Sequence, residues 1–478
     1  MNNQPASNRS SRNRFSLKED GKYEYDFTID DVEDEETTID LALSSIDGSI
    51  HHIGEVNKHP HLRRLNSERV AVYAFIAFVV ALFIGLLPLS WKNKDKERYN
   101  GVIGDAIKPL GMTSNMIQCA GDGSKITLDQ WLRQSMDDIS SLCDPFFLGH
   151  SKKADVTHHP VKVFIMMGEA NMVGAGLVHG GAEGTLENAV YKKKRFPHLM
   201  DSSKEGWSAP RADVRYVEVH NKFQIVENTW LQIDDSRDYF GPEMQFGYIM
   251  GELFDEPVLV IKAAQGHSSL GGEMLPPGSE PYEMEDGYVY AGYGDSPRRW
   301  QVGATPTQNS WYAGMKYDQH VANIKRVLRD IHTYYPGAST FEIAGFVWWQ
   351  GDSDRRSRPY VEKYQENLVR LINSLRFDFR APHAKFVVAS LGQDGDQMNG
   401  STLDVAMAQM EVSSYDKYPQ HEGNVVSVDT RSAWRGPYQP GHDGDYNYLD
   451  GPHYGNNAET FMEVGNAMGL AMAKLLVQ

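Results

Sequence analysis

Asp450 and His453, three residues apart near the end of the chain, are a pair able to hold and move a proton. A carboxylate that holds an imidazole fixes its tautomer and stabilises the imidazolium formed on proton uptake. Gly451 and Pro452 between them predict a rigid loop rather than a helix. Far upstream, residues 161–176 read VKVFIMMGEANMVGAG. The apolar run predicts a buried strand, ended at a tight turn by Gly168, with a helix opening at Glu169-Ala170-Asn171-Met172. A strand that runs through a sharp turn into a helix N-terminus points backbone N–H groups outward, where they stabilise developing negative charge. An α/β enzyme carries its nucleophile at such a corner, and here the residue is Ala170. Gly266, in QGHSSL, offers a further backbone N–H with room for close approach. Gln350 follows another apolar run and carries an amide able to donate to an oxyanion.

These residues sit in three blocks. GEANM resembles the GQSNM block of the SGNH-type carbohydrate esterases, the sialate O-acetylesterase and acetylxylan esterase group. GFVWWQGDSD (345–354) resembles that family's WxQGExD block, and DGPHY (450–454) its C-terminal DxxH. GPEMQFG, VLVIKAAQGHSSL and Pro276-Pro277 lie between them in matching order. The resemblance spans residues 161–478. It implies a flavodoxin-like three-layer α/β/α sandwich and hydrolysis of O-acetyl esters on glycans; no cofactor is expected, and the sequence offers no convincing metal cluster. It implies that Asp450 and His453 are the acid and base of a triad, and that Gly266, Gln350 and the N–H of residue 170 form the oxyanion hole. Glu169, Asn171 and Asp352 then belong to the pocket, framed by Met172, Trp348, Trp349 and Tyr454. The departures are at the chemistry: Ala170 for serine, Glu169 for glutamine and Asp352 for glutamate. Three readings of Ala170 stay open. The chain is a glycan-binding relative; or it uses Ser268, Ser269 or a water activated by His453; or the alanine was introduced by design or error.

The elements that must position these groups alternate as strands and helices, which implies a largely parallel sheet. Strands are predicted at 161–166, 258–263, 343–349, 385–391 and 425–429. Helices are predicted at 243–254, 318–333, 361–377 and 458–476. In such sheets the ligand site lies at the carboxyl ends of the strands, where Ala170, Gly266 and Gln350 fall. GEANMVGAG is Gly-rich but lacks the lysine of a phosphate loop.

Before residue 161 the chain changes character. Residues 1–69 form an acidic tail with eleven carboxylates between 19 and 40, and its composition predicts disorder. Residues 70–91 carry no charge and suffice to cross a hydrocarbon core of about 30 Å, predicting one uncleaved membrane span. Residues 92–160 are a stem, with helical spacing over 126–139. Flanking basic residues balance across the span, so they do not orient it. Cys119 and Cys143, both after the span, could form a disulfide, and Asn399-Gly400-Ser401 is a glycosylation sequon in a Gly/Asp-rich loop. Both favour a type II protein with its C-terminal domain in the secretory lumen or outside the cell. His158-His159 completes no metal ligand set and reads as linker. The net charge of −17 argues against nucleic acid as a partner; the partner that the resemblance implies is O-acetylated carbohydrate.

Overall fold

The computed structural model describes residues 155–435 and 452–477, apart from 157, 202, 204 and 205. Pro452 and His453 are described for their backbone alone, as are five short strands nearer the N-terminus. The chain divides into two units, Met1–Phe83 and Ile84–Gln478. In the first, Ser16–Leu17 pairs antiparallel with Tyr23–Glu24. The expected membrane span at 70–91 and the partner cysteine Cys143 lie outside the described residues, as does the acid Asp450. Cys119 ends the short strand Met116–Cys119, which pairs antiparallel with Lys125–Thr127 and Pro145–Phe147. The helix expected over 126–139 therefore begins in a strand, and its remainder is outside the described residues.

Seven strands make the central sheet: β1 (Val161–Gly168), β2 (Val214–His220), β3 (Gln224–Trp230), β4 (Val258–Ala264), β5 (Phe341–Trp349), β6 (Lys385–Ala389) and β7 (Val425–Val428). Their order is β3-β2-β4-β1-β5-β6-β7, and every pair is parallel except the edge pair β2–β3. Without β2 and β3 the parallel strands follow the 2-1-3-4-5 order of a flavodoxin-like sheet. The β2–β3 pair extends that sheet on the β4 side and was not predicted.

Alternate residues of each strand enter two cores, one on each face. Phe164, Met166, Val260, Val347 and Trp349 pack under α2 (Glu243–Leu253) and α7 (Ala458–Val477). Val163, Ile165, Met167, Ile261 and Trp348 pack under α3 (Met315–Arg329), α4 (Arg358–Asp378) and α5 (Gly400–Glu411). Burial on both faces explains why these strands read as continuous apolar runs. The helix expected over 318–333 is broken: α3 stops at Arg329, and Asp330 turns the chain before the single turn Ile331–Tyr334. α5 replaces the loop expected around the sequon, and Asn399 is its exposed N-cap residue.

The connections above the carboxyl ends are what matter for function. α1 (Ala170–Val173) is the single turn after β1, and α6 (Pro452–Gly455) is a second single turn lying against it. His453 thus sits in a helical turn and not in the expected loop, because Pro452 is well suited to the first helical position. Residues between Ala264 and α3 add a small antiparallel sheet of Tyr282–Glu283, Tyr288–Tyr290 and Arg299–Gln301.

Candidate active site

Three chain segments meet above β1, β4 and β5, at the point where the strand order reverses. Gly168 makes the meeting possible: a Cβ there would strike the Trp349 carbonyl oxygen and lie 2.8 Å from Met172 Cβ. The next residue, Glu169, precedes α1 with extended backbone, and its side chain is buried. Its Oε1 accepts from the N–H groups of Gly351 (2.7 Å) and Ser353 (3.2 Å), while Oε2 accepts from the Ser353 hydroxyl (2.5 Å). Burial raises the Glu169 pKa, Ser353 and Gly351 oppose the rise, and the Asp352 charge adds to it. Glu169 is therefore a clamp from the β1 turn to the β5 loop, with its charge turned away from residue 170.

Ala170 opens α1 and is partly exposed. Gly266 stands beside it, since a Cβ built on Gly266 would lie 3.6 Å from Ala170 Cβ. The N–H groups of Ala170 and Gly266 meet no acceptor among the described residues. They are donors of a helix N-terminus and of a loop, on residues that lie side by side. Asn171 Nδ2 and Gln265 Oε1 are likewise buried without a partner among the described residues. Two backbone donors and an amide group are thus unspent where the sequence places the anion.

Gln350 is placed differently from the role the resemblance implies. It is fully buried, and Nε2 donates to Ser268 O (3.0 Å) and to Asp354 Oδ2 (2.6 Å). Its Oε1 accepts from the Tyr364 hydroxyl at 2.9 Å. Both amide protons are committed within the protein, so Gln350 joins the β4 loop to the β5 loop. Asp354, which the sequence reading passed over, completes that joint. Its carboxylate accepts from the N–H groups of Leu270 and Gly271, both at 2.8 Å. Burial pushes the Asp354 pKa up to about 7 against the pull of these donors, and the Glu169 charge pushes the same way. The overlooked signal was its place as the last residue of WWQGDSD.

Asp352 points outward to Arg355 (2.7 Å) and Arg356 (2.8 Å) and accepts from Gln393 at 3.3 Å. Trp348, Trp349 and Met172 are fully buried and belong to the cores. Tyr454 packs on Trp349 with ring centroids 5.0 Å apart, and its hydroxyl donates to Gln393 Oε1 at 3.0 Å. Ser268 and Ser269 are buried: Ser269 Oγ donates to Glu273 at 2.8 Å, and Ser268 Oγ donates to Gly266 O at 3.2 Å. The structure brings together Glu169, Ala170, Asn171, Gly266 and Gln350, and sets the turn carrying His453 against α1. The side chain of His453 is outside the described residues, like Asp450. Among the described residues, no three His, Cys, Asp or Glu side chains are grouped to hold a metal.

Residues 293–433 match the family model described as carbohydrate esterase, sialic acid-specific acetylesterase. The matched stretch holds β5, Gln350, Asp352 and Asp354 and begins after the Ala170 corner. A comparison with curated proteins finds no match. Among solved structures, a protein from Arabidopsis thaliana is similar at 17% identity, covering 66% of this chain and 98% of that one, with a TM-score of 0.38. A carbohydrate acetylesterase from Xanthomonas citri is similar at 12% identity over 65% of this chain and 55% of that one, with a TM-score of 0.37. NanS is similar at 13% identity over 60% and 80%, with a TM-score of 0.31.

Proposed function

We propose that this chain, which carries a carbohydrate-esterase domain of the sialic acid-specific acetylesterase type, binds O-acetylated carbohydrate at the Ala170 corner with serine catalysis impaired. The observation that carries this reading is the pair of unspent N–H groups, Ala170 and Gly266, beside a methyl group. An ester carbonyl seated there accepts hydrogen bonds from both, and these strengthen as negative charge develops on the oxygen. In an intact site of this kind a serine Oγ attacks the carbonyl carbon, and a histidine, in this reading His453, takes the hydroxyl proton. With Ala170 no acyl-enzyme forms. What remains is recognition of the acetyl group, with slow attack by water as the residual chemistry.

Calorimetric titration of the full-length chain with O-acetylated sialic acid and with its de-O-acetylated form tests the reading. Tighter binding of the acetylated sugar is expected, with acetate release far below that of a serine esterase. Equal affinity for the two forms would reject the corner as an acetyl site.

The same reading anchors the chain by residues 70–91 and places the domain on the non-cytosolic side. The exposed Asn399 at the start of α5 supports this, because a glycan has room there. Protease added to sealed microsomes should spare residues after 91. Their complete digestion without detergent would reverse the orientation.

A further inference from the structure

Lys262 interrupts the apolar run VLVIKAA of β4 and is buried, 1% exposed. An ammonium group leaves water only when it is paired and hydrogen-bonded. Lys262 Nζ donates to Val173 O at 2.6 Å and to Glu243 Oε2 at 3.0 Å, and lies 3.4 Å from Glu218 Oε2. Both carboxylates are themselves held. Glu218 accepts from the Tyr216 hydroxyl at 2.6 Å and contacts His220 at 2.7 Å. Glu243 accepts from the Gly241 N–H at 3.0 Å and faces Arg237 at 3.4 Å.

The Val173 carbonyl closes α1, where a helix leaves its last acceptors without partners. Beside it, a Cβ on Gly174 would strike Gly241 Cα, so the rear of the turn is boxed between Lys262 and Gly241. A single turn has little cohesion of its own. The direction of its first N–H, that of Ala170, therefore follows from what grips its last carbonyl.

We propose that Lys262 is the positioning residue of the Ala170 corner: its ammonium grips the Val173 carbonyl from behind and so aims the N–H and Cβ of residue 170 at the ligand. This rests on the reading of the corner as the acetyl site. Glu218 and Glu243 keep the ammonium charged and in place, so the strut runs from the β2 strand through β4 to the turn.

The test separates position from folding. Replacing Lys262 alone removes the one positive charge shared by two buried carboxylates, so the informative variant is Lys262→Met with Glu218→Gln, which keeps the net charge unchanged while Glu243 retains Arg237. Hydrogen exchange on the full chain should quicken in residues 170–174 and stay unchanged in β1 and β5. Unchanged exchange at the turn would overturn the proposal. A uniform rise across β1, β5 and the turn would also overturn it, making Lys262 a general support of the fold. Placed in an Ala170→Ser background, the double change should lower kcat by about 10²-fold and leave KM nearly unaltered. An unchanged kcat would again overturn it. Should Ala170→Ser by itself give no hydrolysis, the corner serves binding alone, and the exchange experiment still decides the role of Lys262.

Discussion

Ala170→Ser turns the chain into an acetylesterase whose rate exceeds the parent's by between about 10³ and 10⁶. The change adds one hydroxyl at a partly exposed position that already faces Gly266 and opens a helical turn. On the proposed reading, the oxygen should attack an ester carbonyl whose own oxygen is held by the N–H groups of residue 170 and Gly266. On the same reading His453, on the turn packed against α1, should accept the proton as attack begins. Adding His453→Ala should return the rate to the parent's level. Glu169→Gln should add only a few-fold in this background, because the Glu169 charge is aimed at Gly351 and Ser353. A colorimetric assay with an acetylated chromogenic ester measures all four proteins. A serine variant that binds the acetylated sugar and hydrolyses no faster than the parent would show that the corner serves binding alone.

Asp354→Ala should lower the unfolding free energy by roughly 3–5 kcal/mol, because it leaves buried donors without their acceptor. Those donors are the Leu270 and Gly271 N–H groups and the Gln350 amide. The loss should depend on pH in a direction set by the carboxyl group's own titration. Its folded pKa is about 7 against 3.8 for an unperturbed aspartate, so the folded state holds the proton over a range where the unfolded state has lost it. The stabilisation that follows is full below 3.8 and is lost as pH rises to about 7. At about 1.4 kcal/mol per pH unit, the wild-type minus variant difference at pH 5.5 should exceed that at pH 8 by about 2 kcal/mol. Urea unfolding at the two pH values checks this. A difference that is constant, or larger at pH 8, would mean that Asp354 stays ionised throughout.

The strands that carry the site were legible because burial on both faces writes itself as an unbroken apolar run, as in Val161–Gly168 and Val258–Ala264. Val214–His220 was missed since VRYVEVH mixes charge into its pattern: Glu218 is buried but paired, and the strand next to it is a half-exposed edge. The corner itself was legible from Gly168 and the helix start that follows. The duty of Gln350 was not, because Ser268, which its amide reaches, is 82 residues away in sequence. Lys262 was a readable sign, a lone charge inside an apolar run, although no spacing rule names the carbonyl it would reach. The turn around His453 shows the limit in the other direction: Gly-Pro suggested a loop, and the proline instead began a helical turn.

Glu169 ties the β1 turn to the β5 loop, while Asp354 and Gln350 tie the β5 loop to the β4 loop. The three walls of the corner are therefore cross-braced before any ligand arrives. A guest entering such a cleft need not order the chain around it, so little conformational entropy opposes the association. On the proposed reading, binding at a corner with alanine at residue 170 persists on few contacts. Its calorimetric signature would be an apo and a liganded protein whose backbones differ little, with a heat-capacity change reporting only the apolar surface the sugar's acetyl methyl covers.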